Sequence, residues 1–305
     1  MSIELHVHLE GCVTAAHIRR WWHRSGFLFP PPSMRSDRSF ERFLEHLRFN
    51  YNFINTPQAY GHVLSDYAKS AGNHGVQYAE VQINLALVST WGLALYDVLD
   101  EMNTCLDRCT TAPRIRYLID LPWQFSPRVF DTLFRDIDVH RAQGVRGIGL
   151  GGDETLANID SAVEIARGAR AVGLKILCHL GESGNPNRAR AIAENVRPDR
   201  IGHGVRLARW LAERGRASPP VDVCLTSNLC CGVIGEISDH PLQMWTQSGV
   251  PVCISTDDPA IFGTSYTQEM RLAHLVCPGL SAEDLAKLAV EAAFDKEAAI
   301  GATSR

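Results

Sequence analysis

Eight short apolar runs, separated by stretches of helical periodicity, organise this chain of 305 residues. The runs fall at 3–8, 76–83, 115–121, 145–149, 175–180, 200–203, 221–226 and 252–256. Runs of that length bounded by turn residues predict buried strands. Between them, apolar positions recur at helical spacing over 57–71, 127–143, 159–172 and 188–195. Alternating β and α units predict a parallel sheet closed on itself and ringed by helices, an α/β fold of the (β/α)8 TIM-barrel type. Such barrels run to about 250 residues plus insertions, so one domain over 1–305 accommodates the pattern.

The rhythm breaks once. After the first strand, Phe29-Pro30-Pro31-Pro32 interrupts the chain, and 40–47 restores a helical pattern before Pro57. An insertion at the carboxyl end of a barrel strand lies on the catalytic face, so 26–56 reads as a helical lid over a pocket. The plainer alternative is an excursion that only packs on the barrel.

Composition narrows the partners. A net charge of -4 offers no electrostatic footprint for nucleic acid or an anionic membrane, which points to a small-molecule partner. No apolar stretch reaches the ~20 residues a spanning helix needs, and no secretory pattern opens the chain. Nine cysteines, an odd number without a Cys-x-x-Cys pair, fit reduced thiols and a cytoplasmic protein. Cys230 and Cys231 read as ordinary packing residues beside a candidate active-site segment.

The chemistry concentrates at strand ends. In a strand, alternate side chains share a face, so His6 and His8 point one way while Leu5 and Val7 point the other. Two imidazoles then converge as ligands of a transition metal such as zinc, unless they are incidental to a buried strand. Three further strand ends carry ionisable groups: Cys178-His179-Leu180-Gly181-Glu182, Ile201-Gly202-His203-Gly204 and Ser255-Thr256-Asp257-Asp258. His17, His23, His46, His62, His74, His140, His240 and His274 sit elsewhere and read as surface or packing residues.

Taken in order, His6-Val7-His8-Leu9-Glu10-Gly11, His179-Leu180-Gly181-Glu182, Arg200-Ile201-Gly202-His203-Gly204 and the segment from Ser255 to Thr264 resemble the adenosine deaminase family of the amidohydrolase superfamily. That resemblance implies a zinc-dependent hydrolytic deaminase in which water displaces the exocyclic amine of an aminopurine. It makes His6, His8, His179 and Asp257 the ligands of one Zn2+ per chain. It makes Glu182 the proton shuttle, His203 the group that orients the attacking water and steadies developing negative charge, and Asp258 a hydrogen-bond partner of a ring nitrogen. The backbone of Gly152 would meet the purine edge, while Glu10 and His8 would face the group attached to it. Each has a plainer alternative: a solvated loop carboxylate for Glu182, a turn or cap for Asp258 and Glu10, a tight turn for Gly152. Relatives with two metals bridge them by a modified lysine after strand four; here 147–152 holds none, which favours one metal.

The departures from the family fall on substrate recognition. Glu10 stands where adenosine-preferring relatives carry Asp. The stretch from Glu80 to Val88 lacks the family's Glu-x-Arg-Phe-x-Pro-x-x-His pattern, and Leu225 replaces the usual proline after the strand-seven cysteine. A base or modified nucleoside therefore fits better than adenosine, in a pocket to which Trp91 contributes. A related metallohydrolase acting on another C–N bond and a non-catalytic purine-binding descendant remain the alternatives. The oligomeric state is not legible.

Overall fold

The computed structural model describes residues 2–25, 34, 38–124 and 136–303. Its centre is an eight-stranded parallel sheet in sequence order: β1 Ser2–His8, β2 Val76–Asn84, β3 Arg114–Pro122, β4 Val145–Gly151, β5 Lys175–Leu180, β6 Arg200–His203, β7 Val221–Val223 and β8 Val252–Ile254. The seam between last and first strands is joined by His8 N–H donating to Asp257 C=O at 2.9 Å and Asp257 N–H donating to His6 C=O at 3.1 Å. This is the barrel that the alternating pattern predicts. Closure therefore runs through residues of the candidate site, because the strand-eight chain carries Asp257 into register with β1.

Strand alternation sorts β1 as expected. Ile3, Leu5 and Val7 are fully buried in apolar clusters, Leu5 among alanines of the helices Ala282–Ala292 and Lys296–Thr303, while His6 and His8 turn toward the barrel axis. Helix starts follow local capping chemistry. Thr56 accepts from Ala59 N–H with Pro57 in the first turn, and Asn185 does the same for Asn187 N–H ahead of Pro186.

Strands seven and eight stop earlier than their apolar runs suggest. Past Val223, Thr226 donates from its backbone and hydroxyl to Glu269, and the chain winds into the helix Leu225–Cys230. Past Ile254, the backbone N–H of Thr256 donates to Glu4 Oε1 at 3.0 Å instead of to a strand. Both side-chain acceptors outcompete the ladder. Of the helix expected over 127–143, Ile137–Ala142 is present, and 125–135 lie outside the described residues.

α1 Ala15–Ser25 precedes the insertion at 26–56, which contributes α2 Phe40–Tyr51; 26–33 and 35–37 lie outside the described residues. Ser39 caps α2 by accepting from Arg42 N–H. At one end Phe43 stacks on Phe262 with ring centroids 5.3 Å apart, and at the other Asn50 donates to the backbone oxygen of Glu10 at 3.0 Å. Cys230 and Cys231 are buried in the apolar patch that seats Phe43, which supports their packing role.

Candidate active site

At the carboxyl ends of the strands lies a cavity of about 300 Å³. His8, Glu10, Asp120, Gly152, Glu182 and Asp258 contribute to its wall, and Phe43, Leu47 and Tyr51 of α2 cover one side. The sequence-predicted site residues meet here, with His6 fully buried beneath His8 and His179.

Four donors converge at its floor. His6 Nε2 and His8 Nε2 each lie 3.0 Å from His179 Nε2, and Asp257 Oδ1 lies 3.3 Å from His6 Nε2 and 3.4 Å from His8 Nε2. The tautomers decide what this means. His6 Nδ1 donates to Asp222 Oδ2 at 3.1 Å, and His179 Nδ1 donates to the carbonyl of Leu150 at 3.0 Å. Each neutral ring therefore presents a lone pair on Nε2, and two lone pairs 3.0 Å apart repel unless a cation sits between them. The donor set of three imidazoles and one carboxylate suits zinc.

Electrostatics point the same way for His8 and His179, and the opposite way for His6. Burial, reinforced by His6 and His203, lowers His8 to about 3, and burial with the neighbouring imidazoles pushes His179 well below the usual histidine range. Both rings are thus held neutral, as ligands must be. Burial opposes charge on His6 as well, yet its hydrogen bonds with Asp222 and Asp257 outweigh this and raise it to about 9. For Asp257 burial is again overcome, by His6, His203 and His8, and its carboxyl stays well below its ordinary value.

Surrounding residues hold the donors in place. Ser227 donates to Asp257 Oδ2 at 2.6 Å, which turns Oδ1 toward the histidines. Asp222 Oδ2 also accepts from Arg200 Nε at 2.8 Å, and Arg200, wholly buried, donates to Glu80 Oε2 and to the carbonyls of Leu5 and Ala292. The backbone at Asp257 and His203 is left-handed, with φ of 66° and 65°, a conformation that costs free energy in non-glycine residues and gathers at functional sites.

His203 owes its orientation to a relay. Leu242 N–H donates to His240 Nδ1, so His240 Nε2 carries the proton that Asn228 Oδ1 accepts at 3.3 Å. The Asn228 amide then donates to His203 Nδ1 at 3.1 Å. His203 is left with its proton on Nε2, 3.7 Å from Glu182 Oε2 and 4.0 Å from Asp257 Oδ2. It is a neutral donor, lowered to about 4 chiefly by burial.

Glu182 is buried rather than a solvated loop residue. Glu154 accepts from the backbone N–H groups of Gly181, Ser183 and Gly184, and Arg206 Nε donates to the Glu182 carbonyl, which together fix the loop. Burial, then the charges of Asp257 and Glu154, push the Glu182 carboxyl well above its ordinary value, which favours its protonated form. Asp258 occupies the cap position of the turn Pro259–Phe262 but makes no capping bond with its side chain; both carboxylate oxygens are buried without a protein partner. Glu10 does not cap a helix either: it accepts from Asn84 N–H at 3.0 Å and ties the end of β1 to β2. Gly152 has φ of 82° with open space where a Cβ would go, so the turn itself calls for glycine at this point of the cavity wall.

Some expectations need amending. Trp91 lies outside the cavity, because the helix Leu85–Thr90 carries it to the surface, where it is 38% exposed. Asn84 lines the wall instead. His240 is part of the relay rather than mere packing. Asp222, Asn228, Ser227, Glu154 and Asp120 escape the sequence reading; the carboxylate in Gly151-Gly152-Asp153-Glu154 and the buried acid in β7 were its available signals.

Comparison with known proteins agrees. The family model described as adenosine deaminase matches residues 2–303. An aminodeoxyfutalosine deaminase of Acidothermus cellulolyticus is 28% identical over 293 residues, covering 89% of this chain and 82% of the relative. An adenine deaminase of Mesorhizobium japonicum is 27% identical over 318 residues, covering 96% and 94%. The crystal structure of adenine deaminase from Arthrobacter aurescens shares the fold, with a TM-score of 0.81 at 23% identity over 99% of this chain and 98% of that one.

Proposed function

The chain belongs to the adenosine deaminase family, and on that premise we propose that it is a hydrolytic deaminase of an aminopurine, working with one zinc ion held by His6, His8, His179 and Asp257. The observation that carries this reading is the convergence of three histidine Nε2 atoms and Asp257 Oδ1 below a cavity that also presents a buried Glu182 and the Nε2 proton of His203. When bound, zinc lowers the pKa of a water from 15.7 to about 7 and so supplies a nucleophile near neutral pH.

The side chains divide the remaining work. Glu182, protonated in its buried setting, gives its proton to the ring nitrogen beside the amine-bearing carbon as the water oxygen bonds to that carbon. Water gives up both its protons: one passes through Glu182 to the amine, and the other leaves the new C–OH oxygen to restore the Glu182 carboxyl as the C–N bond breaks and ammonia leaves with its electron pair. His203 donates from Nε2 to the oxygen as negative charge develops on it. Asp258, whose carboxyl burial and the nearby Asp257 raise well above its ordinary value, hydrogen-bonds a second ring nitrogen, and the Gly152 backbone meets the purine edge. Glu10 and His8 face the group attached to the purine. Because Glu10 is not the family's common Asp, a base or modified nucleoside is the better substrate and adenosine the poorer one.

Among the described residues no helix is long and apolar enough to cross a membrane. Nine free thiols support a reducing, cytoplasmic setting. The test is a panel of adenine, adenosine, methylthioadenosine and aminodeoxyfutalosine, with ammonia and the ultraviolet spectrum followed together. Ammonia release matched by the spectral change of an aminopurine supports the reading. Ammonia from none of them overturns it.

A further inference from the structure

The cavity carries one feature that the deamination chemistry leaves unused. Asp120, at the carboxyl end of β3, lines the wall, is buried, and has Oδ1 without a protein partner. In the sheet it pairs with Asn84 on one side and Gly149 on the other. Gln82, one pleat below Asn84, also has a buried and unpartnered oxygen, Oε1. Both oxygens converge on the bare face of Gly149: a Cβ there would sit 2.5 Å from Asp120 Oδ1 and 2.7 Å from Gln82 Oε1. The two oxygens fill the space that the glycine leaves, and of the two side chains Asp120 is the one that also lines the cavity.

From this geometry we infer that Asp120 forms a subsite that reads an uncharged hydrogen-bond donor on the substrate, either a ring N–H or a sugar hydroxyl, and disfavours a phosphate or carboxylate there. The inference rests on the aminopurine reading of the cavity and names the substrate class within it. A buried acceptor without a partner costs about 1–3 kcal/mol, and a ligand N–H or O–H removes that cost where a water-excluding apolar group does not. An anion finds little compensating charge there, because Arg48, at the exposed edge of α2, is the one lysine or arginine among the described lining residues. The location also accounts for the sequence: the stretch of β2 that departs from the family pattern, Gln82 to Asn84, is the strand lying against Asp120.

Equilibrium binding of hypoxanthine, inosine and inosine 5′-monophosphate tests this on zinc-loaded protein. Wild type should bind hypoxanthine or inosine at least about tenfold more tightly than the monophosphate, and Asp120→Leu should erode that preference about 10- to 100-fold at unchanged zinc content. Asp120→Asn, which keeps the shape and one acceptor, should fall between them and covers the case in which the leucine variant does not fold. A loss confined to hypoxanthine identifies the ring N–H, and one confined to inosine identifies a hydroxyl. Tighter binding of the monophosphate by wild type, an unchanged preference in both variants, or no binding of any of the three overturns the inference. Turnover is separate: an enzyme that deaminates nothing in the panel sinks the deaminase reading, while the binding preference still decides the subsite.

Discussion

Asp222→Asn isolates what holds the metal from what performs chemistry. Asp222 Oδ2 accepts from His6 Nδ1 at 3.1 Å and from Arg200 Nε at 2.8 Å, and none of the three side chains is exposed. Asparagine retains an oxygen for both bonds but removes the charge that makes His6 a stronger donor to a cation. Losing such an outer partner of a metal-bound histidine typically costs about 10- to 100-fold in metal affinity, equivalent to ~1.4–2.7 kcal/mol. Because the hydrogen bonds can persist, Asp222→Asn belongs near tenfold and Asp222→Ala, which also leaves Glu80 as the sole acidic partner of Arg200, near a hundredfold. Competition against a chromophoric chelator measures zinc affinity directly, without substrate, and denaturant unfolding of the metal-free variants separates metal holding from fold stability. A zinc affinity for Asp222→Asn within twofold of wild type would refute the idea that Asp222 sets the ligand strength of His6.

Three further outcomes follow from the same geometry. Glu182→Gln keeps the shape but has no titratable proton, so zinc should stay bound while turnover falls by about 10² to 10⁴; near-normal turnover would remove Glu182 from the proton path. His240→Phe breaks the relay that keeps the His203 proton on Nε2, so kcat should fall about tenfold or more with little change in KM or zinc content, and unchanged kcat would show that His203 is oriented otherwise. For Asp295, burial opposes ionisation but hydrogen bonds from Arg116, the Ala298 N–H and Arg146 lower it to about 2, below its ordinary value of 3.8. A depressed acid stabilises the fold fully above the unfolded value, and that contribution is lost as pH falls from about 4 to about 2. Because the site is partly exposed the effect is small, and Asp295→Asn should lose less stability between pH 5 and 3 than wild type; identical slopes would dismiss the ion pairs.

The strands and their order were legible because each is a run of residues buried on both faces, and such runs read as continuous apolar stretches. Their ends were not. At Thr226 and Thr256, side chains distant in sequence, Glu269 and Glu4, take the backbone N–H groups that a longer strand would use. Local propensity cannot report an acceptor that arrives from 43 or 252 positions away. The ligand motifs were legible for the opposite reason: His6-Val7-His8 places both imidazoles by alternation alone. The residues that orient them were not, since Asp222, Asn228 and His240 act through bonds that exist only once β6, β7 and the following turns are assembled. Asp120 is the sharpest case. Nothing about an aspartate at the end of an apolar run distinguishes a capping residue from an acceptor aimed into a cavity, and the distinction depends on the missing side chain of Gly149.

The account stands on one metal ion, gripped by three histidines and Asp257, enabling water to displace an amine from a purine. Stepwise return of zinc to metal-stripped enzyme, with ammonia release from the best aminopurine followed at each addition, tests that claim most directly. The rate should rise in proportion to bound zinc and level off at one ion per chain, and His179→Ala should bind little zinc and release little ammonia. Undiminished ammonia release from the stripped enzyme, or a rate that climbs until two tightly held ions are bound, would contradict it.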